Sequence, residues 1–217
     1  MNQDLTEMVF ILDMSGSMCH LTSDTIGGYN SLIKQQKEEP GEANVTTVLF
    51  DNRYIMLHDR VNIKDVPEMT TSDYMPYGST ALLDAVGQTI NYIGQKLAAT
   101  PENERPAKVI VTIITDGYEN SSCEYSWAKV KEMITHQREK YNWTFTFLGA
   151  NIDTVEVSNN LGIDARLSKT YTASKVGTDS VYCAVSKGLS FARSVSAQGT
   201  SNPEYTESIS NILDEVE

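Results

Sequence analysis

Short apolar runs alternate with longer amphipathic segments along the chain, and the two periods assign its elements. Residues 8–13, "MVFILD", are an apolar run closed by a carboxylate and read as a buried strand. The following "SDTIGGYNSLIKQQKEE" spaces Ile26, Tyr29, Leu32 and Ile33 three and four apart, the pattern of a helix with one buried face. Gly27 and Gly28 weaken that helix on propensity, which points to close packing against the sheet. "EEPGEAN" is a turn. "VTTVLFDNRYIMLHD" gives two strands around Asp51-Asn52, a hairpin over 45–58. Residues 59–76 are polar and read as loop. "STALLDAVGQTINYIGQKLAA" is a helix whose apolar face is Leu82, Leu83, Val86, Ile90, Ile93 and Leu97.

The run "VIVTIIT" at 109–115 is the most strongly buried strand and again meets an acid, Asp116, followed by Gly117. "SCEYSWAKVKEMITHQREK" is a helix capped at Ser121 or Ser122. "WTFTFLGA" is a strand, "DTVEVSNNLG" a short helix closed by Gly162, and "ARLSKTY" a short strand. A last long helix over 172–196 turns Val181, Tyr182, Val185, Leu189 and Ala192 inward. This alternation predicts one α/β domain over residues 1–196, with parallel strands and helices on both faces. Residues 197–217 change character: "AQGTSN" is linker-like, and "PEYTESISNILDEVE" is an amphipathic helix with Tyr205, Ile209, Ile212 and Val216 on one face. That helix either docks back on the domain or serves as a partner-binding tail.

Composition narrows the function. The chain has 217 residues, 40% hydrophobic and 21% charged, enough for a core without disulfide staples. A formal net charge of -12 argues against nucleic acid and against anionic membranes as partners. Three cysteines with no CxxC pair suit a reducing compartment. "MNQDLTE" has neither a basic region nor a long apolar one, and no apolar run approaches the ~18–20 residues of a membrane span, so the expected location is cytoplasmic.

In an open α/β sheet, ligands collect outside the carboxyl ends of the strands. Asp13 and Asp116 both stand at such ends, and "YGST" (77–80) brings Ser79 and Thr80 to the same rim ahead of a helix. With Ser15 and Ser17, these make an all-oxygen constellation of the kind hard cations such as Mg²⁺ select. Gly16 lets the intervening turn fold tightly.

"DMSGS" after a strand, "GST" opening a helix and "TDG" after a second buried strand together resemble the von Willebrand factor type A domain. The likeness covers roughly residues 5–195, most closely that of intracellular bacterial or phage-encoded members. It implies a doubly wound, mostly parallel six-stranded sheet with one antiparallel edge strand and helices on both faces; the 45–58 hairpin fits that edge. It also implies a complete metal-ion-dependent adhesion site, in which Asp13, Ser15 and Ser17 match the first element, Thr80 the second and Asp116 the third. The expected cofactor is a divalent cation, Mg²⁺ first, with Mn²⁺ or Ca²⁺ as alternatives. The expected partner is a protein whose Asp or Glu carboxylate completes the metal, bound by a monomer.

Other residues compete for roles. Asp84 either points at the metal site as a hydrogen-bond acceptor behind the ligands or is a first-turn acid favoured by the helix dipole. Cys19, His20 and Cys123 share the rim, but no fourth zinc ligand is evident. Tyr118, Glu119 and Asn120 follow "TDG" onto the rim, and Met18, Tyr74, Met75 and Tyr77 join them there as a recognition surface, unless these Tyr and Met residues pack the core. Asp51 reads as a hairpin-turn residue, and Trp127 and Trp143 as core. Catalysis is the rival reading: haloacid dehalogenase-type phosphatases resemble DxDx[TV], but Ser15 stands where their acid would be. Of three histidines only His20 falls near a serine of the rim, and no G-x-S-x-G or G-x-G-x-x-G occurs. A metal-dependent interaction module, not an enzyme, is therefore expected. An Mg²⁺-dependent hydrolase and a metal-free scaffold of the same fold are the alternatives.

Overall fold

A computed structural model of the chain describes residues 1–216. Its strands are β1 (Asn2–Asp13), β2 (Glu42–Phe50), β3 (Tyr54–Asn62), β4 (Pro106–Thr115), β5 (Thr144–Ala150) and β6 (Ser168–Tyr171). Its helices are α1 (Thr22–Glu38), α2 (Leu82–Ala99), α3 (Trp127–Tyr141), α4 (Thr154–Leu161), α5 (Lys175–Ser194) and α6 (Pro203–Leu213). The strands form one sheet in the order β3-β2-β1-β4-β5-β6, with only the β2–β3 hairpin antiparallel. This is the doubly wound α/β sheet with an antiparallel edge that the sequence predicts. Helices α1, α5 and α6 pack together on one face, and α2, α3 and α4 neighbour one another on the other. The central strands are buried on both sides, which is why β1 and β4 read as continuous apolar runs.

Several boundaries differ from expectation, each for a local reason. β3 continues to Asn62, because the backbone pairs across Val45–Val61 and Asn44–Asn62 despite its polar side chains. The 63–76 segment is irregular, yet Ile63, Val66, Met69 and Tyr74 pin it to the core. Helix α3 is capped by Ser126, whose hydroxyl accepts from Lys129 N, and not by Ser121 or Ser122. Gly162 closes α4 at φ +79° as expected. Helix α6 docks on the body through Tyr205, Ile209 and Leu213; Ile212 lies half exposed, one position off the buried stripe. Val216 is buried, and Glu217 lies outside the described residues. Among the described residues no helix is long and apolar enough to cross a membrane.

The two glycines of α1 have different meanings. A Cβ on Gly28 would lie 2.3 Å from the ring of Tyr182 on α5, so Gly28 sets the approach of the two helices, whereas Gly27 faces open space. Tyr182 is buried in the core. Gly28→Ala is expected to destabilise by about 1–3 kcal/mol through overpacking. Gly27→Ala is expected to stabilise by up to about 1 kcal/mol through helix propensity. Denaturant melts of the two variants check the opposite signs.

Candidate metal centre

The sheet order makes β1 and β4 the switch point: the chain leaves β1 for β2 on one side, while β4 lies on the other. Asp13 is the last residue of β1 and is 1% exposed. Its Oδ1 accepts from Ser15 N at 2.7 Å, and its Oδ2 accepts from the Thr115 hydroxyl, at the end of β4, at 2.5 Å. Its backbone carbonyl accepts from the buried Tyr74 hydroxyl at 2.5 Å. These bonds orient the carboxylate without neutralising it.

The turn after Asp13 is clamped to the loop that carries Thr80. Gly16 N donates to Gly78 O at 3.0 Å, and Tyr77 N donates to Met14 O at 3.0 Å. Gly78 sits at φ +74°, where a Cβ would lie 2.2 Å from Asn52 Oδ1, so a side chain there would break the clamp. Ser17 opens outward in a 3₁₀ turn (Gly16–Leu21); its Oγ is 3.0 Å from Ser15 Oγ and donates to Asp116 Oδ1 at 2.5 Å. Thr80 is held by Asn120, whose side chain accepts from Thr80 N at 2.9 Å and whose N–H donates to Thr80 O at 3.0 Å. A methyl on Gly117 would lie 3.3 Å from Thr80 Oγ1 and 3.8 Å from Ser17 Oγ, so both hydroxyls stand over the same piece of backbone. The structure thus places Asp13, Ser15, Ser17, Thr80 and Asp116 around one rim.

Burial dominates the electrostatics here. It pushes the Asp13 carboxyl up to about 6, against the opposing hydrogen bonds from Thr115 and Ser15, and the Asp116 charge adds to the rise. Burial likewise raises Asp116, against the Ser17 hydrogen bond and the nearby His20. Among the described residues, neither acid is held by an Arg or Lys. Two under-compensated carboxylates beside three hydroxyls, with no thiolate or imidazole among them, fit a hard divalent cation. Asp13, Ser15, Ser17, Thr80 and Asp116 are the residues that could hold it. No three His, Cys, Asp or Glu side chains converge anywhere among the described residues, and this rim pairs only two carboxylates with hydroxyls. The zinc alternative gains nothing: Cys19 and Cys123 are exposed, their thiols donating to Pro76 O and Ser121 O.

Other rim residues turn out to hold the loops. Asp84 accepts from the N–H groups of Cys123, Glu124 and Tyr125 at 2.8–2.9 Å, so it fastens the 117–126 loop rather than acting on the carboxylates. Glu119 accepts from Ser121 N and Ser122 N, and from Leu83 N at 2.9 Å, capping α2 from another loop. Asp51 is buried in the hairpin turn, accepting from Arg53. Met18 and Tyr74 are core; Met75, Tyr77 and Tyr118 are exposed. Trp143 is core, while Trp127 is only half buried. Thr115 and Tyr74 escaped the sequence reading as supports for Asp13. The signal for Thr115 was a hydroxyl closing a mostly apolar strand beside the acid.

Comparison with solved structures places this architecture. A von Willebrand factor type A protein from Catenulispora acidiphila is 14% identical and superposes with a TM-score of 0.59, covering 83% of this chain and 42% of that one. The fold is that of a von Willebrand factor type A domain. Proximal thread matrix protein 1 from the mussel byssus, with a zinc-occupied MIDAS (metal-ion-dependent adhesion site) motif, is 15% identical at a TM-score of 0.59, covering 87% of this chain and 46% of that one. Manganese-loaded TRAP protein of Plasmodium vivax is 16% identical at 0.56, covering 79% and 70%. This chain spans under half the length of the first structures it matches. No protein-family model and no curated protein matches it in sequence.

A pH dependence follows from Asp13. Its folded value of about 6 lies above the ordinary 3.8, so between those values the folded state holds the extra proton. Stability without metal therefore falls as pH rises through that window, the reverse of a salt-bridged carboxylate, by up to about 3 kcal/mol from this group. Other acids titrate in the same range, so the measurement is a difference. Urea melts in chelator from pH 4 to 7 should show a shallower decline in Asp13→Asn than in wild type. Equal slopes would refute the assignment.

Proposed function

We propose that this domain is a divalent-cation-dependent protein-binding module. The cation, Mg²⁺ in the first instance, is held by Asp13, Ser15, Ser17, Thr80 and Asp116. When bound, it supplies a positive charge with a coordination position open to a partner's carboxylate. The carrying observation is the pair of buried acids at the switch point with no Arg or Lys on them among the described residues. Thr115 and Ser15 N fix the Asp13 carboxylate, Ser17 bridges to Asp116, and Asn120 fixes Thr80, so the donors need little rearrangement. The mussel protein with a zinc-occupied MIDAS motif and the manganese-loaded TRAP protein, both of this fold, support a divalent cation in general.

The site's shape favours binding over catalysis. It is a rim at the ends of strands, while a cavity of about 430 Å³, lined by residues such as Ile90, Pro106, His136 and Trp143, opens at the opposite end of the sheet. His20 Nδ1 lies 2.8 Å from the Ser17 carbonyl, not from its hydroxyl, which instead donates to Asp116, so His20 is not placed to activate Ser17. Ser15 occupies the place of the general acid in the phosphatase motif.

Titration calorimetry with Mg²⁺ and Mn²⁺ tests the proposal. Wild type is expected to bind one equivalent, and Asp13→Ala and Asp116→Ala to bind none while staying folded. Thr115→Val, which keeps the shape but removes the hydrogen bond to Asp13, is expected to weaken the metal about 10–100-fold. Retained binding in both aspartate variants would refute the site.

A further inference from the structure

The cavity at the amino end of the sheet has no part in the metal centre. Its volume of about 430 Å³ is that of a small-molecule site. It opens between α2 and α3, over the first residues of β4. Its walls are apolar: Ile90 and Leu97 come from α2, Pro106 and Val109 from β4, and Trp143 from the residue before β5. Trp143 is buried and stacks on Phe145, with ring centroids 6.1 Å apart, so its ring is fixed. Tyr141 also lines the cavity but is 49% exposed, which places it at the mouth, with the His136 ring edge-on to it at 5.7 Å.

Two residues give this cavity a character that plain imperfect packing lacks. Gly87 and Gly94 stand two turns apart on the same side of α2. A Cβ on Gly87 would lie 2.3 Å from the Tyr125 ring, so that place is filled. A Cβ on Gly94 would meet only Gln137 Nε2, at 3.6 Å, so the second glycine keeps a wall of the cavity open. Arg105 is half-buried at the edge. Its Nε donates to Thr100 O at 2.7 Å and its Nη2 to Ala98 O at 3.0 Å, both at the C-terminal end of α2. Those bonds hold the guanidinium in place, while its Nη1 bonds to nothing among the described residues. The charge around it is equally one-sided. The chain has 29 Asp and Glu, yet none of those described lines this cavity, whereas Arg105 and His136 do. Lys140 Nζ lies 5.3 Å over the Tyr141 ring and adds a further positive charge at the mouth.

We propose that this cavity binds a small apolar anion, an aromatic ring system bearing one carboxylate. The ring lies between α2 and α3 against Trp143 and Tyr141, and the carboxylate meets Arg105. Aromatic and aliphatic walls take a flat apolar body by area and by ring contact. A guanidinium already oriented by two carbonyls offers its remaining N–H groups to a planar carboxylate at little entropic cost. A cation of the same shape would meet like charge from Arg105 and Lys140. The site is independent of the metal-binding reading, because Arg105 precedes and Asp116 follows β4, whose ten residues span about 33 Å.

The probes are naphthoate and two molecules of the same ring, naphthalene methanol and naphthylmethylammonium. Each is titrated calorimetrically into wild type in chelator, so that no metal can hold the carboxylate. One equivalent of naphthoate is expected to bind, at least about tenfold tighter than the ammonium, although the net charge of -12 favours the cation at long range. Gly94→Leu, which fills the cavity and suits a helix, is expected to abolish naphthoate binding while leaving Mn²⁺ affinity unchanged. Arg105→Gln is expected to weaken naphthoate about tenfold and to leave the alcohol unaffected, with Arg105→Lys restoring part of the loss. The comparison of the three probes on wild type tests the charge preference even where Arg105→Gln does not fold. Absence of naphthoate binding, equal or tighter binding of the ammonium, or binding undiminished in Gly94→Leu overturns the proposal. So does naphthoate binding that appears only with Mn²⁺, or an equal effect of Arg105→Gln on naphthoate and the alcohol.

Discussion

Two carboxylates are buried side by side at the ends of the central strands, with no Arg or Lys among the described residues to balance them. Asp13 and Asp116 lie at the point where the sheet order reverses, and burial pushes both toward protonation. An uncompensated buried charge costs several kcal/mol, so such a pair persists only where something outside the chain answers it or where a proton is retained. The neighbours contribute orientation alone. Thr115, Ser15 and Tyr74 fix Asp13; Gly78 clamps two loops; Asn120, Glu119 and Asp84 hold the loop that follows Asp116. Much of the polar bonding at this edge serves to keep five oxygen donors in place.

The opposite end of the sheet shows how the same chain treats buried charge when no ligand is involved. Lys108, near the start of β4, donates to Ala192 O and Val195 O at 3.2 and 2.8 Å, and to Arg193 O. Arg193 in turn donates to Gln36 O at 2.7 Å and to Gly41 O at 3.1 Å. Both cations meet the unsatisfied carbonyls at helix C-termini, where their charge is favoured. Lys108 and Arg193 are thus satisfied by the protein itself. At the carboxyl end Asp51 is answered by Arg53, while Asp13 and Asp116 are left open, which is the distinction between a structural cluster and a site.

The fold was legible because its signals are local. Continuous apolar runs mark strands buried on both faces, and the Asp51-Asn52 turn marks the one antiparallel pair. The rim was legible in outline: places at strand ends picked out Asp13, Asp116 and the hydroxyls at 15, 17, 79 and 80, and only the resemblance to the von Willebrand factor type A signature reduced them to five. The supports were not legible. Glu119 capping α2 and Asp84 receiving three N–H groups from a segment some 40 residues away are contacts between distant parts of the chain, and no periodicity encodes them. For the same reason the cap of α3 was misplaced. Ser121 and Ser122 have the right chemistry, but Glu119 occupies their N–H groups, and the helix begins only after Ser126. In α6, pattern alone chose Ile212, whereas packing against α5 and β6 turned Leu213 inward.

Paramagnetic broadening of amide signals by substoichiometric Mn²⁺ tests the central claim most directly, because it reads where the ion sits without presuming a ligand set. The account predicts that Ser15, Gly16, Ser17, Gly78, Thr80 and Gly117 broaden first and together, and that their broadening disappears in Asp116→Ala. Broadening spread over acidic surface positions such as Glu204, Glu207 and Asp214, with the rim unaffected, would contradict it.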